Sequence, residues 1–183
     1  FIWATIGNVF LGVFLLSSTA SALNQLQEKT FDSIMNRTKN RPLPTKQLGS
    51  RSVITLFGIF TFFGFWILYY VHPFAGLLGL LNIILYNFVY TKLKPVTSLA
   101  IFPGALVGAV PPVIGWAAAG ASIFEPKILF LAFFMFLWQV PHFLLLAVKY
   151  TKDYKKAGFV IAFQSSTDKQ VRWILFLWVV STS

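Results

Sequence analysis

The sequence predicts an all-α fold, a polytopic transmembrane helical bundle, from three observations. Hydrophobic residues make up 57% of the 183 and charged residues only 11%, against about 25% charged in an ordinary soluble domain. Lys, Arg, Asp and Glu are absent from residues 1–27, 52–91, 95–124, 128–148 and from 173 onward. The basic residues between these runs are also one-sided: with alternating spans, fourteen of the fifteen Lys/Arg fall on a single face and only Lys127 on the other. That asymmetry is the positive-inside pattern and makes the richer face cytoplasmic, or matrix or stroma in an organelle.

Residues 1–27 hold one span, and Phe1 to Leu23 lacks the basic n-region and small-residue cleavage site of a signal peptide. Residues 52–91 suffice for two spans of about 20 residues. The break falls at His72-Pro73, because proline disfavours helix in the residue before it. Residues 95–124 and 128–148 hold one span each, and a sixth starts at Trp173. Within FPGALVGAVPPVIGW, Gly104 and Gly108 form a small-xxx-small pair that permits close helix contact. Pro111 and Pro112 remove two backbone donors there and should kink or break the helix, for packing or to widen a cavity. The chain starts inside one apolar run and stops inside another, which reads as a fragment.

Composition excludes several chemistries. There is no cysteine, hence no disulfide, thiolate nucleophile or Cys-based metal site. The net charge of +10 would suggest nucleic acid in a soluble protein. Here it reflects basic loops against membrane lipid, and no nucleic-acid partner is expected.

Two charged segments stand out on the basic face. The first is NQLQEKTFDSIMNRTKNRPLP, Asn24 to Pro44. If the first helix continues past the interface, Asn24, Glu28 and Asp32 lie along one face, each about 6 Å from the next. Oxygen ligands with two anions suit a hard cation such as Mg²⁺, which takes one or two carboxylates plus substrate phosphates. An acidic solvated helix end would look the same, but this chain has only five acids, and ionisable groups at a membrane edge are functional candidates. Arg37, Lys39 and Arg41 follow. They suit either phosphate, which guanidinium binds bidentately, or anionic lipid. The second segment, WQVPHFLLLAVKYTKDYKKAG, brings Lys149, Lys152 and Asp153 to the same face. Acid plus base in two loops above an apolar bundle describes a clamp on a polyprenyl diphosphate. Lys155 and Lys156 read as topology charges. His72 is expected to be exposed at the opposite hairpin. His142, about two turns before Lys149, is either a helix–helix hydrogen-bonding group or a ligand.

The pattern N-x3-[DE]-x3-D-x2-M-x-R-T-x2-R-P-L, carried by Asn24, Glu28, Asp32, Met35, Arg37, Thr38, Arg41, Pro42 and Leu43, resembles the first motif of the UbiA superfamily of intramembrane prenyltransferases. GAVPPVIGW, WQVPHF and KDYKKAG resemble later signatures of its protohaem-farnesylating branch. The resemblance implies transfer of farnesyl from farnesyl diphosphate to a vinyl group of haem B, with addition of water, to give haem O. It implies Mg²⁺ held by Asn24, Glu28, Asp32 and Asp153. Asp32, Arg37, Lys152 and Asp153 would be catalytic. Arg37, Arg41, Lys149 and Lys152 would bind diphosphate, and His142 would anchor haem. It implies one UbiA-type domain over 1–183, truncated at both ends, with about six of nine helices. It also implies an inner membrane, bacterial or organellar, and contact with haem A synthase or oxidase assembly factors. The sequence departs from the superfamily pattern at Glu28, where Asp is usual, at Ala100, where Asn is usual, and in having Asp153 as the lone acid of its second motif. A quinone precursor or chlorophyllide is the alternative acceptor, and a non-enzymatic transporter or lipid-binding bundle is the alternative class.

Overall fold

The computed structural model describes residues 2–160 and 168–182, which are helical with short connections. The elements are α1 (Ile2–Gln27), α2 (Lys29–Ile34), α3 (Ser50–Val71), α4 (Pro73–Ile84), a π-helical segment (Leu85–Tyr90), α5 (Thr91–Leu93), a 3-10 turn (Ser98–Ala100), α6 (Ile101–Ala118), α7 (Pro126–Lys149), α8 (Thr151–Lys156) and α9 (Asp168–Thr182). Five continuous stretches are long and apolar enough to cross a membrane: Ile2–Gln27, Ser50–Val71, Pro73–Leu93, Ser98–Ala118 and Pro126–Lys149. They coincide with the five charge-free spans. The sixth helix, α9, begins five residues before Trp173.

The spans pack in a chain of neighbours, α1 on α3, α3 on α4, α4 on α6, α6 on α7 and α7 on α9. Lipid is as apolar as leucine, so close packing rather than burial holds such helices together. Glycines supply the closeness. A Cβ on Gly12 would lie 2.6 Å from the Leu68 side chain, and one on Gly64 would lie 2.9 Å from Leu16. Leu16, Leu68, Ile83 and Ile114 form the core around these contacts. Gly104 and Gly108 do the same for α6, where added Cβ atoms would meet Tyr90 at 2.9 Å and Gln139 at 2.7 Å.

Two local readings need correction. Pro111 and Pro112 do not break their helix, since α6 runs unbroken through both. The carbonyls they leave without donors belong to Val107 and Gly108, and Val107 and Pro111 both line a cavity, where irregular hydrogen bonding is tolerated. His72 caps the α3–α4 hairpin in extended conformation as expected, but it is half-buried, with Nδ1 enclosed, and its ring stacks on Phe74 at 5.9 Å. The run 52–91 divides at His72-Pro73 as expected, and within its second span residues 85–90 widen into a π-turn.

Candidate active-site mouth

Charge begins where α1 ends. The helix gives way at Glu28, whose φ/ψ of −94/7 bends the backbone, and α2 restarts at Lys29. The first helix therefore carries on past Gln27 through a bend and a second short helix. Its hydrogen-bond ladder survives the bend, with Glu28 N–H donating to Asn24 O and Asp32 N–H to Glu28 O, each at 2.8 Å. That ladder keeps the i, i+4, i+8 alignment, and all three side chains are buried: Asn24 at 7%, Glu28 at 4% and Asp32 at 0% exposure. A solvated helix end would leave them in water.

Each of the three has a partner. Asn24 Nδ2 donates to Thr91 Oγ1 at 3.0 Å. Glu28 takes both carboxylate oxygens to Lys94 Nζ, at 2.9 and 3.2 Å. Asp32 Oδ2 accepts from Arg41 Nη1 at 2.8 Å, while its Oδ1 is buried with no hydrogen-bond partner. The loop after α2 folds back so that Arg41 can reach Asp32. Met35 leaves the helix in extended conformation, and the Thr38 hydroxyl donates to Asp32 O at 3.1 Å. Met35, Thr38 and Leu43 are buried along this loop. The NRTKNRPL stretch is thus a folded cap as well as a charge carrier.

Lys94 is the residue that the sequence reading missed. Beyond its ion pair, its ammonium lies 5.1 Å from the Phe159 ring centroid, 5.8 Å from Tyr154 and 5.9 Å from Tyr90. The available signal was a lysine four residues after Tyr90 at the end of an uncharged span. Counted only as a topology charge, it did not stand out.

The second segment closes over the first. Its hinge is a Schellman motif: Gly158 N–H donates to Lys155 O at 3.1 Å, and Phe159 N–H to Tyr154 O at 2.9 Å, with Gly158 at φ 78. This turn throws Phe159 back onto Phe31, ring centroids 4.8 Å apart, beside Met35 and Ala157. The Arg37 backbone N–H donates to Asp153 Oδ2 at 3.1 Å across 116 residues of chain. Arg37 and Lys149 both approach the Tyr150 ring, at 4.9 and 5.4 Å. A Cβ at position 158 would meet nothing within 4 Å, so Gly158→Ala introduces only left-handed backbone strain, about 1–2 kcal/mol. The expected result is faster proteolysis or hydrogen exchange of residues 151–160, with the transmembrane core unchanged.

The structure therefore joins Asn24, Glu28, Asp32, Arg37 and Arg41 to Asp153 and Lys149 in one mouth. Lys152 is exposed on α8 beside Asp153, and Lys39 is exposed on the first loop. Among the described residues the ion pairs are Arg41–Asp32 and Lys94–Glu28, so Arg37, Lys149 and Lys152 carry charge with no carboxylate partner there. His142 lies elsewhere, exposed on α7, stacked on Trp138 at 5.8 Å and edge-on to Phe143. Behind the mouth, Leu16, Ser17, Ser21, Asn82, Tyr86 and Pro111 line a cavity of about 280 Å³.

For a metal the donor set is mixed. Among the described residues no three Asp, Glu or His side chains are gathered around one point. The chemistry still fits a hard cation that takes few protein ligands and completes its shell with phosphate. The orphaned Oδ1 of Asp32 is a buried anionic oxygen lacking a cation or donor, and the Asn24 amide, committed through nitrogen, leaves its oxygen free.

The UbiA prenyltransferase family model matches residues 1–183. Similar curated proteins include a protoheme IX farnesyltransferase of Flavobacterium psychrophilum, 39% identical over 94% of this chain and 58% of that protein. One from Geobacter sulfurreducens is 42% identical over 85% of this chain and 57% of its own length. A mitochondrial one from Yarrowia lipolytica is 40% identical over 82% and 32%. The chain spans a little over half the length of these bacterial relatives. A solved UbiA homologue from Aeropyrum pernix K1 superposes with a TM-score of 0.80 over all of this chain and 70% of that one, at 18% identity, a likeness of fold.

Proposed function

The chain belongs to the UbiA prenyltransferase family and is a multi-pass integral membrane protein, and from that we propose that it farnesylates haem B. The reaction joins the terminal carbon of a haem vinyl group to C1 of farnesyl diphosphate. The C1–O bond breaks to release diphosphate, water adds its oxygen to the other vinyl carbon, and one proton is lost. The product is haem O. The observation that carries this reading is the Arg37–Asp153 hydrogen bond, which unites two charged loops into one anion- and cation-binding mouth over an apolar cavity. The acceptor rests on the relatives' shared name, protoheme IX farnesyltransferase.

The residues divide the work by charge. Arg37, Lys149 and Lys152 take diphosphate oxygens, and Arg41 adds positive field beside Asp32. Preorganised cations of this kind stabilise the charge that builds on the leaving group as C–O lengthens. A bound Mg²⁺, held by Asn24, Glu28, Asp32 and Asp153, would supply further neutralisation of that group. Tyr86 and Tyr90, stacked 5.6 Å apart, offer π-faces to an allylic cation, each contributing about 0.5–2 kcal/mol. The cavity walls are mostly apolar, and His142, exposed beside Trp138 outside that cavity, would offer haem a nitrogen ligand.

The basic loops support a mouth on the cytoplasmic or matrix side of a bacterial or organellar inner membrane. Haem A synthase or oxidase assembly factors would receive the product there. The test is mass spectrometry of haem extracted after the full-length protein is incubated with Mg²⁺, farnesyl diphosphate and either haem B or 4-hydroxybenzoate. Haem O is the expected product. Prenylated 4-hydroxybenzoate without haem O would give the protein a different acceptor.

A further inference from the structure

Thr91 sits where the first span meets the widened turn of the third. It is 5% exposed and has two hydrogen bonds. Its hydroxyl donates to Tyr86 O at 2.8 Å and accepts from Asn24 Nδ2 at 3.0 Å. The carbonyl of Tyr86 also accepts the Thr91 backbone N–H, the i to i−5 bond of the π-turn. Threonine in a regular helix returns its hydroxyl to the carbonyl three or four residues back. Here the extra residue in the turn moves that carbonyl to five back and swings the side chain toward α1. π-turns of this kind concentrate at functional sites.

Donor accounting then fixes Asn24. A threonine hydroxyl has one proton, and this one is committed to Tyr86 O. All that Thr91 can offer Asn24 is a lone pair, so Asn24 must present its NH₂ there. In the flipped carboxamide two oxygens would face each other at 3.0 Å in a buried site, leaving both without a donor. The amide oxygen is therefore turned away from Thr91, on a residue that shares its helix face with Glu28 and Asp32, and it takes no hydrogen bond from the described residues. An oxygen there is a ligand for a hard cation, whereas an NH₂ would repel one.

We propose that Thr91, held by the π-turn carbonyl of Tyr86, is a positioning residue that locks the Asn24 carboxamide with its oxygen toward the metal–diphosphate mouth. The inference rests on the function proposed above. Partners that orient a metal ligand are typically worth about 10–100-fold in metal affinity.

The test uses the full-length protein in detergent, with Mn²⁺ as the probe, farnesyl thiodiphosphate present, and free Mn²⁺ read by electron paramagnetic resonance. Thr91→Val keeps the shape and removes the hydroxyl, and it is expected to weaken Mn²⁺ binding by about 10–100-fold. Thr91→Ser is expected to restore binding to within a few-fold. In an Asn24→Asp background, where both side-chain atoms are oxygen and orientation no longer matters, adding Thr91→Val is expected to cause no further loss. Wild-type affinity in Thr91→Val would overturn the proposal. So would a loss that persists in the Asn24→Asp background, because that marks damage to packing. A wild-type protein that binds no Mn²⁺ would overturn the metal–diphosphate reading itself.

Discussion

Replacing Asp32 by alanine is expected to reduce haem O formation by at least about 10²–10³-fold, the scale for removing a charged group from a preorganised site. The carboxylate does two things in the structure. Its Oδ2 neutralises Arg41 at 2.8 Å, which aims that guanidinium and holds the NRTKNRPL cap against α2. Its Oδ1 has no hydrogen-bond partner in a fully enclosed position, an arrangement costly enough that native sites seldom keep one without a ligand. Alanine removes both and strands Arg41. Because Arg41 is about one-third exposed, water limits the penalty to about 1–2 kcal/mol. Asp32→Asn separates the two effects. It retains the shape and an acceptor for Arg41, so it should recover most of the lost stability in a thermal-shift assay and little of the turnover. Substantial haem O from a correctly inserted Asp32→Ala protein would remove this carboxylate from the reaction and favour a passive lipid-binding bundle.

The same residue shows why part of the site was readable from sequence. Asn24, Glu28 and Asp32 are related by helical spacing within one short stretch, so their alignment follows from local geometry and survives the bend at Glu28. The charge-free spans were legible for the same reason, since each is a local property of hydropathy. The partners of these residues were not legible. Lys94 is 66 positions from Glu28 and Thr91 is 67 from Asn24, and both pairings depend on how the third span packs on the first. The π-turn that aims Thr91 has no periodicity signal in LYNFVY, because a one-residue widening looks like ordinary apolar helix. Pro111 and Pro112 misled in the other direction. Their local rule says break, but a helix bordering a cavity can keep its course without the two proline donors.

The two buried carboxylates of the mouth are answered by protein cations and its outer cations are not. Arg41 and Lys94 neutralise Asp32 and Glu28, which lets two buried acids sit side by side on one helical face without mutual repulsion. The side chains of Arg37, Lys149 and Lys152 are exposed and in no ion pair among the described residues. The proposed metal–diphosphate complex would bring positive charge for the first set and negative charge for the second, the complementarity that steers a charged head group into position.

Lys94→Met is expected to be the most destabilising single change at this site, by about 3–5 kcal/mol, the range for removing one partner of a buried ion pair. Both members are well enclosed, at 17% and 5% side-chain exposure, so Glu28 would be left charged and buried with no counter-ion. The loss should show as a lower unfolding temperature and as loosening of the second loop, because Lys94 also contacts the Tyr154 and Phe159 rings that close that loop on α2. A double-mutant cycle separates charge from packing. Adding Glu28→Gln to Lys94→Met removes the stranded carboxylate and should restore at least about half of the lost stability. Turnover should stay low in the double variant if Glu28 also serves the metal, since the amide brings no charge to it. Equal destabilisation by Lys94→Met with and without Glu28→Gln would mean that the lysine acts through its aromatic cage alone. Full activity in the double variant would release Glu28 from the proposed metal set and leave Asn24, Asp32 and Asp153 to hold the ion.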